Sequence, residues 1–386
     1  MSKLHDVIIV GAGPVGASLA IALADADLDV AIVDARSAQG SPRGERSLAL
    51  SHGARLVFER LGIWGGLVAR DASVTPIVEI DVSQTGGFGQ ARLAAADHDL
   101  PALGYVVGYG ALQGALADAL RLTRTSQYYG YSVTLAGGTR AYAAVTGGAG
   151  VEPLLGKLVV VADGSGANVA GVIRRRHDYR QSALVAKIGC RASHRGIAYE
   201  RFTPEGPIAL LPEGDHYGLV WTATPELVAA RLALPDDAFL DRLSAHFGRR
   251  RADFVSVADR RSFPLALEYA PSVTAPRTVL IGNAAQALHP VAGQGFNLGV
   301  RDAFELARVL VDTAPEAIGS PAMLARYARL RRTDRVAGVA FTHGLLGVFM
   351  HPAGWISGPR GLALSLLDAT PGLKRTFTRA VLFGLR

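Results

Sequence analysis

Apolar positions fall into two patterns along this chain, and their order predicts the architecture. HDVIIV at 5–10, DVAIVD at 29–34 and LVVVA at 158–162 are short unbroken apolar runs, as expected of parallel strands buried on both faces. Between the first two, GAGPVG reads as a tight turn and ASLAIALADA as a helix rich in small residues, giving strand–turn–helix–strand order. From 73 to 107 the pattern alternates, as in TPIVEIDVSQ, which suggests antiparallel strands; GYVV at 104–107 reads as a return to the first layer. ALQGALADALRL is a helix. From 180 to 270 the chain is strand-rich again (ALVAKIGC, YERFTPEGPIALLP, YGLVWTAT, RSFPLALE), with one helix near 235–248. Beyond 320 it turns helical, Arg-rich and glycine-broken. The fold class expected is α/β, a Rossmann-like domain with an inserted, mostly antiparallel β-sheet domain and a helical C-terminal region. The boundaries expected are 1–72, 104–178 and 276–320 for the first domain, 73–103 and 179–275 for the second, and 321–386 for the helices.

The first turn carries chemistry. Gly11, Gly13 and Gly16 stand in G-x-G-x-x-G spacing: the first permits the turn, the second lets backbone approach a pyrophosphate, the third lets helix and strand pack closely, and Val15 lies among them. Asp34 closes the second strand, where a carboxylate can accept hydrogen bonds from a ribose diol. Strand, turn, helix and acid together point to a dinucleotide. Arg43, Arg46 and Arg55 cluster further on; any of them can clamp a phosphate, and Arg55 reads equally as a helix-surface charge. A second glycine-rich stretch, VLIGNAAQALHPVAGQGFNLGVRD, begins as a strand at Val279 and breaks at Gly282. It passes His289 and Pro290, then Gly293, Gln294 and Gly295, and becomes helical near Phe296 and Asn297. A glycine turn feeding a helix N-terminus suits an anionic or electron-rich ligand. Asp163–Gly164 at the end of the third strand reads, taken alone, as a simple turn.

Composition narrows the class. Apolar residues make up 49% and charged residues 19% of 386 positions, so an ordered globular chain is expected. A net charge of +7 fits a solvated basic surface, an anionic cofactor or an anionic membrane surface. Nucleic acid is not expected, because no basic run is interleaved with aromatics. The single Cys190 excludes an intramolecular disulfide and reads as a small buried hydrophobe. No signal-peptide core, membrane-spanning run or zinc-type Cys/His set is found, so no metal is expected. A cytoplasmic location follows, with peripheral attachment to the inner face of the cytoplasmic membrane as the alternative that the apolar, basic C-terminal region raises beside plain core packing.

GAGPVG at 11–16, ADG at 162–164 and IGNAAQALHPVAGQGFN at 281–297, in that order, resemble the FAD-dependent aromatic hydroxylases of the para-hydroxybenzoate hydroxylase fold. GYVVGYGALQGAL, ERFTPEGPIALLP and RSFPLAL extend the likeness over the whole chain and make it similar to the ubiquinone-biosynthesis hydroxylases in particular. The resemblance implies FAD, with NADPH or NADH as donor and O2 as co-substrate. It puts the glycines at the FAD pyrophosphate, Asp34 at the adenosine ribose, Arg46 near the phosphates and Gln113 beside the ribityl or pyrophosphate portion. Asp163 would serve both FAD and the nicotinamide donor, Pro290 would lie beside the isoalloxazine, and the Gly293–Asn297 backbone near its pyrimidine edge. The sequence departs twice from the superfamily. Gly282–Asn283 replaces the usual Gly-Asp, which suits the ubiquinone subgroup, and Ala167 and Ala170 stand where Ser and Arg are usual, with Arg174 to Arg176 nearby.

The implied reaction is hydroxylation of a polyprenylated phenol, 2-polyprenyl-6-methoxyphenol to its benzoquinol, through a flavin C4a-hydroperoxide, with other ubiquinone-biosynthesis proteins as partners. His289 is the titratable candidate for helping to deprotonate the phenol; a loop histidine bonded to backbone is the plainer reading. The sheet face around Ile208–Leu211 and Trp221 is a candidate pocket wall. Three other functions compete. A halogenase would carry paired tryptophans, whereas Trp64, Trp221 and Trp355 are isolated. A flavin-dependent isoprenoid reductase would not consume O2, and a non-catalytic flavoprotein scaffold would not be reduced by a nicotinamide donor.

Overall fold

A computed structural model describes residues 3–37, 46–71, 73–138, 142–147, 152–164, 169–247, 253–350 and 357–385. The unbroken apolar runs do form a parallel sheet. Leu4–Val10 lies between Val30–Asp34 and Leu154–Val161; Ser126–Tyr129 extends one side and Thr278–Leu280 the other, all parallel. Val7, Ile8, Ile9, Leu158, Val159 and Val160 are fully buried, because helices cover both faces. The short antiparallel strands Thr134–Gly138, Ala143–Thr146 and Thr274–Ala275 complete this layer.

The second sheet is eight-stranded, in the order Gln286–Ala287, Phe254–Tyr269, Arg175–Cys190, His216–Ala223, Gly206–Glu213, Ile197–Thr203, Glu79–Gln84, Gln90–Ala94. Its pairings are antiparallel except for Ile197–Thr203 against Glu79–Gln84. One face is covered by two helices, Pro225–Leu232 and Asp236–Phe247, where one was expected. The first is signalled by Thr224, whose hydroxyl accepts the Leu227 N–H, followed by Pro225 in the first turn. Cys190 packs at the edge of this helix-covered core, and burial pushes its thiol up to about 11, which leaves it unreactive.

GYVV does not return to the first layer. Gly104–Gly108 pairs instead with Ser47–Ser51 and Thr75–Ile77 in a separate three-stranded sheet. Gly104 sits so close to this partner that a Cβ would meet the Leu50 carbonyl oxygen at 2.3 Å. The C-terminal helices Pro321–Phe349, Ser357–Ala369 and Pro371–Phe383 pack inward through Leu346, Phe349 and Leu364 against Phe202, Ala91 and Val291. Among the described residues, no helix is long and apolar enough to cross a membrane.

Candidate active site

The glycine turn is held by backbone contacts. Gly11 has φ +106, and a Cβ there would lie 2.6 Å from the Ala162 carbonyl oxygen, so the turn is pressed against the strand end that carries Asp163. A Cβ on Gly16 would lie 2.0 Å from the Gly11 carbonyl oxygen. Gly13 is different: nothing lies within 4 Å of where its Cβ would be. It caps the helix Pro14–Ala22 without a side-chain bond, which leaves the helix N-terminal N–H groups facing that open space. Gln113 donates to the Ala12 carbonyl at 2.9 Å, while its buried Oε1 has no partner. Arg46 is exposed and stacks its guanidinium 4.4 Å from the centre of the Tyr109 ring. Arg55 pairs with Glu59 on its own helix, the surface reading, and Arg43 lies outside the described residues.

Asp34 accepts the Ala12 N–H at 2.8 Å and is gripped by Arg36 through Nε and Nη2. Burial alone would raise its carboxyl, but the Arg36 and Ala12 bonds hold it below the usual range. Asp34 therefore braces the turn as an anion, with Arg36 held beside it. Arg36 went unnoticed in the sequence, although its place two residues past the strand-closing acid was the available signal. Of the arginines expected near a nicotinamide phosphate, Arg174 and Arg176 reach Glu268. Ala167 lies outside the described residues.

The second glycine stretch is held by side chains. Gly282 (φ +61) and Gly299 both pack on Val15, which joins this loop to the first turn. Asn283 is exposed beside them. Beneath the loop, the fully buried Asp302 accepts the Gly282 N–H, Gln286 Nε2 at 2.6 Å and Arg331 Nε at 2.8 Å. Arg335 donates to Gln286 Oε1 at 2.7 Å, so Gln286 has both ends engaged. Asp334 joins the set through Arg331 and Arg301; burial would raise it, and these two arginines hold it low. Asn297 uses its whole amide: Oδ1 accepts the Ser51 N–H, and Nδ2 donates to Ala49 and Gly293 carbonyls. The strand Ser47–Ser51 is thereby fixed across the start of the helix Gln294–Val311. Ala292 and Gly293 both adopt left-handed φ, and Pro290 to Gly295 present backbone around a helix N-terminus that has no side-chain cap. Gln294 turns back to the Ala292 carbonyl, and Phe296 stacks on Phe58.

His289, the acid–base candidate, has one ring nitrogen engaged in the loop, while its Nε2 is buried with no hydrogen-bond partner. Its Nδ1 accepts the Val291 N–H, its ring meets Tyr179 edge-on, and burial lowers its pKa to about 4. A neutral imidazole of that basicity is poorly matched to a phenol proton. The proposed pocket wall also divides. Ile208, Leu210 and Trp221 point into the core with Phe239 and Leu243, under the helices, so they face away from the loop. The opposite face bears the cross-strand row Val82, Glu200, Ala209, Val220, Val185. Glu200 stands beside the Ala292 backbone, and burial pushes its carboxyl up to about 8 against the lowering influence of that N–H. Its signal in the sequence was an acid sharing a strand face with Ala198 and Phe202.

These residues fit FAD by their own geometry. The open space at Gly13 and the uncapped helix behind it suit a pyrophosphate, the orphaned Gln113 oxygen can accept from a hydroxyl of the attached chain, and the left-handed turn at 292–293 offers backbone to a flat ring. A dinucleotide fold, a second glycine loop at a helix N-terminus and an attached, mostly antiparallel sheet together make up the fold of the flavin-dependent monooxygenases. The p-nitrophenol 4-monooxygenase PnpA of Pseudomonas putida DLL-E4 has the same fold, with a TM-score of 0.77 at 18% identity and full coverage of both chains. The chain is 34% identical to ubiquinone hydroxylase UbiL of Rhodospirillum rubrum over 98% of its own length and 89% of that protein. It is 30% identical to 3-demethoxyubiquinol 3-hydroxylase of Escherichia coli over 85% of its length and 86% of the relative's. It belongs to the FAD binding domain family, matched over residues 5–341, and is an FAD-dependent monooxygenase. NAD(P)H and O2 are the co-substrates typical of this class.

Proposed function

We propose that this enzyme hydroxylates the ring of a polyprenylated phenol in ubiquinone biosynthesis, with 2-polyprenyl-6-methoxyphenol as the substrate and the benzoquinol as product. The observation that carries the reading is the likeness to a ubiquinone hydroxylase over nearly the whole chain, second sheet included. FAD, when bound, supplies the two-electron redox chemistry and the activation of O2. The chain's own residues bind, orient and exclude water. Gly11, Gly13, Gly16, Val15, Asp34, Arg46, Gln113 and Asp163 take the nucleotide end; Asn283 takes the ribityl chain; Pro290 and the 293–297 backbone take the ring. The N-terminus of the helix Gln294–Val311 favours negative charge on the ring's pyrimidine edge. The row from Val82 to Val185, apolar apart from Glu200, lines the opposite side and limits water, as the hydroxylating chemistry requires. The proposal includes the division into nucleotide, substrate and helical parts at the boundaries given above. It also includes peripheral membrane attachment through the helical part, where Val336, Leu362, Leu366 and Leu373 are exposed.

The E. coli relative is a 3-hydroxylase, which makes a second ring position the specific competitor. Complementation of strains each blocked at one ubiquinone ring hydroxylation, with intermediates read by mass, separates the two. Rescue of the strain that accumulates 2-polyprenyl-6-methoxyphenol is expected. Rescue confined to another strain moves the position, and rescue of none overturns the function.

A further inference from the structure

We propose that Glu200 is the residue that receives the substrate's phenolic O–H and takes its proton. This rests on the function proposed above. Three observations place the carboxyl there. Glu200 lies at the middle of the sheet face turned away from the covering helices, and its row neighbours Val82, Ala209, Val220 and Val185 carry no polar side-chain atom. Its strand face meets the loop: Phe202, two residues on, and Val82, its cross-strand neighbour, pack in one cluster with Val291, next to the left-handed Ala292 two residues past Pro290. Ala292 is exposed, so the turn meets accessible space, and Glu200 beside it is half-buried as a residue while its carboxyl is enclosed. Phe202, on the same strand face, stacks on Phe349 at 3.9 Å between centroids and closes one end of that space.

The chemistry suits a phenol. The phenol O–H bond breaks, its electron pair stays on the oxygen, and the proton passes to the Glu200 carboxylate, leaving a ring enriched in electrons. A phenol near 10 and an ordinary carboxylate are separated by about 6 pH units, too far for efficient transfer. Burial pushes Glu200 up to about 8, which narrows the gap to roughly 2. Burial raises the carboxyl and the Ala292 N–H lowers it, with no charged side chain contributing among the described residues. His289 is the titratable group on the facing segment and stays neutral through burial, while Tyr199 and Arg201 project to the other side of the strand.

The test uses the full FAD-loaded chain, 2-prenyl-6-methoxyphenol with a single isoprene unit, and the O-methyl ether of that compound. Dissociation constants are read from the perturbation of flavin absorbance without a donor, between pH 6 and 9. In the wild type, phenol affinity is expected to rise about tenfold through pH 8 as the carboxylate becomes available, while ether affinity does not rise. E200Q retains an oxygen for the Ala292 N–H, so it should keep its FAD. Its phenol affinity should become independent of pH, and its turnover should fall by about 100-fold. A merely structural Glu200 predicts that E200Q matches the wild type, and turnover within about threefold of wild type overturns the proposal. If E200Q does not hold FAD, the wild-type titration decides: phenol affinity flat across the range overturns the proposal, and the rise with a flat ether supports it. A wild type that binds and hydroxylates the phenol while E200Q is unaffected removes the role of Glu200 alone. A wild type that neither binds nor hydroxylates it removes the function and this inference together.

Discussion

The two glycine-rich segments of the site do the same kind of work by opposite means. At 11–16 the backbone is shaped by what is missing: side chains absent from Gly11 and Gly16 let carbonyls approach to distances no Cβ would allow. At 282–297 the backbone is shaped by what is present: Asp302, Gln286, Arg331 and Asn297 hold the loop from below with nearly every polar atom engaged. The first is written locally, within a few residues. The second depends on partners as distant as Ser51, 246 residues from Asn297, and on a helix that follows later in the chain. Local closeness makes a turn legible in the sequence. Distant bracing makes a loop tunable by residues that never touch a ligand.

Breaking each segment should show the difference. Gly16→Ala drives a methyl into the Gly11 carbonyl and is expected to cost more than about 4 kcal/mol, seen as failure to recover folded, flavin-bound protein. Asp302→Asn removes one of the two carboxylates that pair with the buried Arg331, leaving Asp334, and urea unfolding should show a loss of roughly 3 kcal/mol with weaker flavin retention. Asn297→Ala removes bonds to Ser51, Ala49 and Gly293 together, a loss of about 2–3 kcal/mol by the same measurement.

Acid should act on the second segment through His289. Its folded pKa of about 4 lies below its unfolded value of 6.5, so the unfolded chain binds the extra proton between these limits. The associated stability is present above pH 6.5 and is lost as pH falls toward 4, by about 1–2 kcal/mol at pH 5. Urea midpoints measured from pH 7 to 5 should fall less steeply in His289→Gln. The smallest effect on stability is expected from Gly13→Ala, within about 0.5 kcal/mol, because its Cβ enters open space. Its FAD affinity should nevertheless drop at least about tenfold, read by flavin fluorescence, because that space is the one proposed for the pyrophosphate.

The parallel layer, the second sheet and the turn at 11–16 could be read from the sequence, because unbroken apolar runs and glycine spacing are local signals. The path of GYVV could not, since nothing in those residues distinguishes pairing with Ser47–Ser51 from pairing in the first layer. Trp221 and Ile208 were apolar and in the right segment, but strand alternation alone does not say which face the helices cover. Glu200 was hidden for the same reason: its meaning depends on which side of the sheet meets Ala292. Arg36, only two residues from Asp34, was within local reach.

One small pairing has a mechanical consequence. Thr278–Leu280 is a strand of the parallel sheet, and Gln286–Ala287, a few residues later, is an edge strand of the second sheet, bonded to Glu268 and Tyr269. The intervening GNAA turn is thus riveted to both layers. Any displacement of one sheet relative to the other has to be absorbed within this short span. The short span from Leu280 to Gln286 is therefore a tie between the two sheets as well as the lead-in to Pro290.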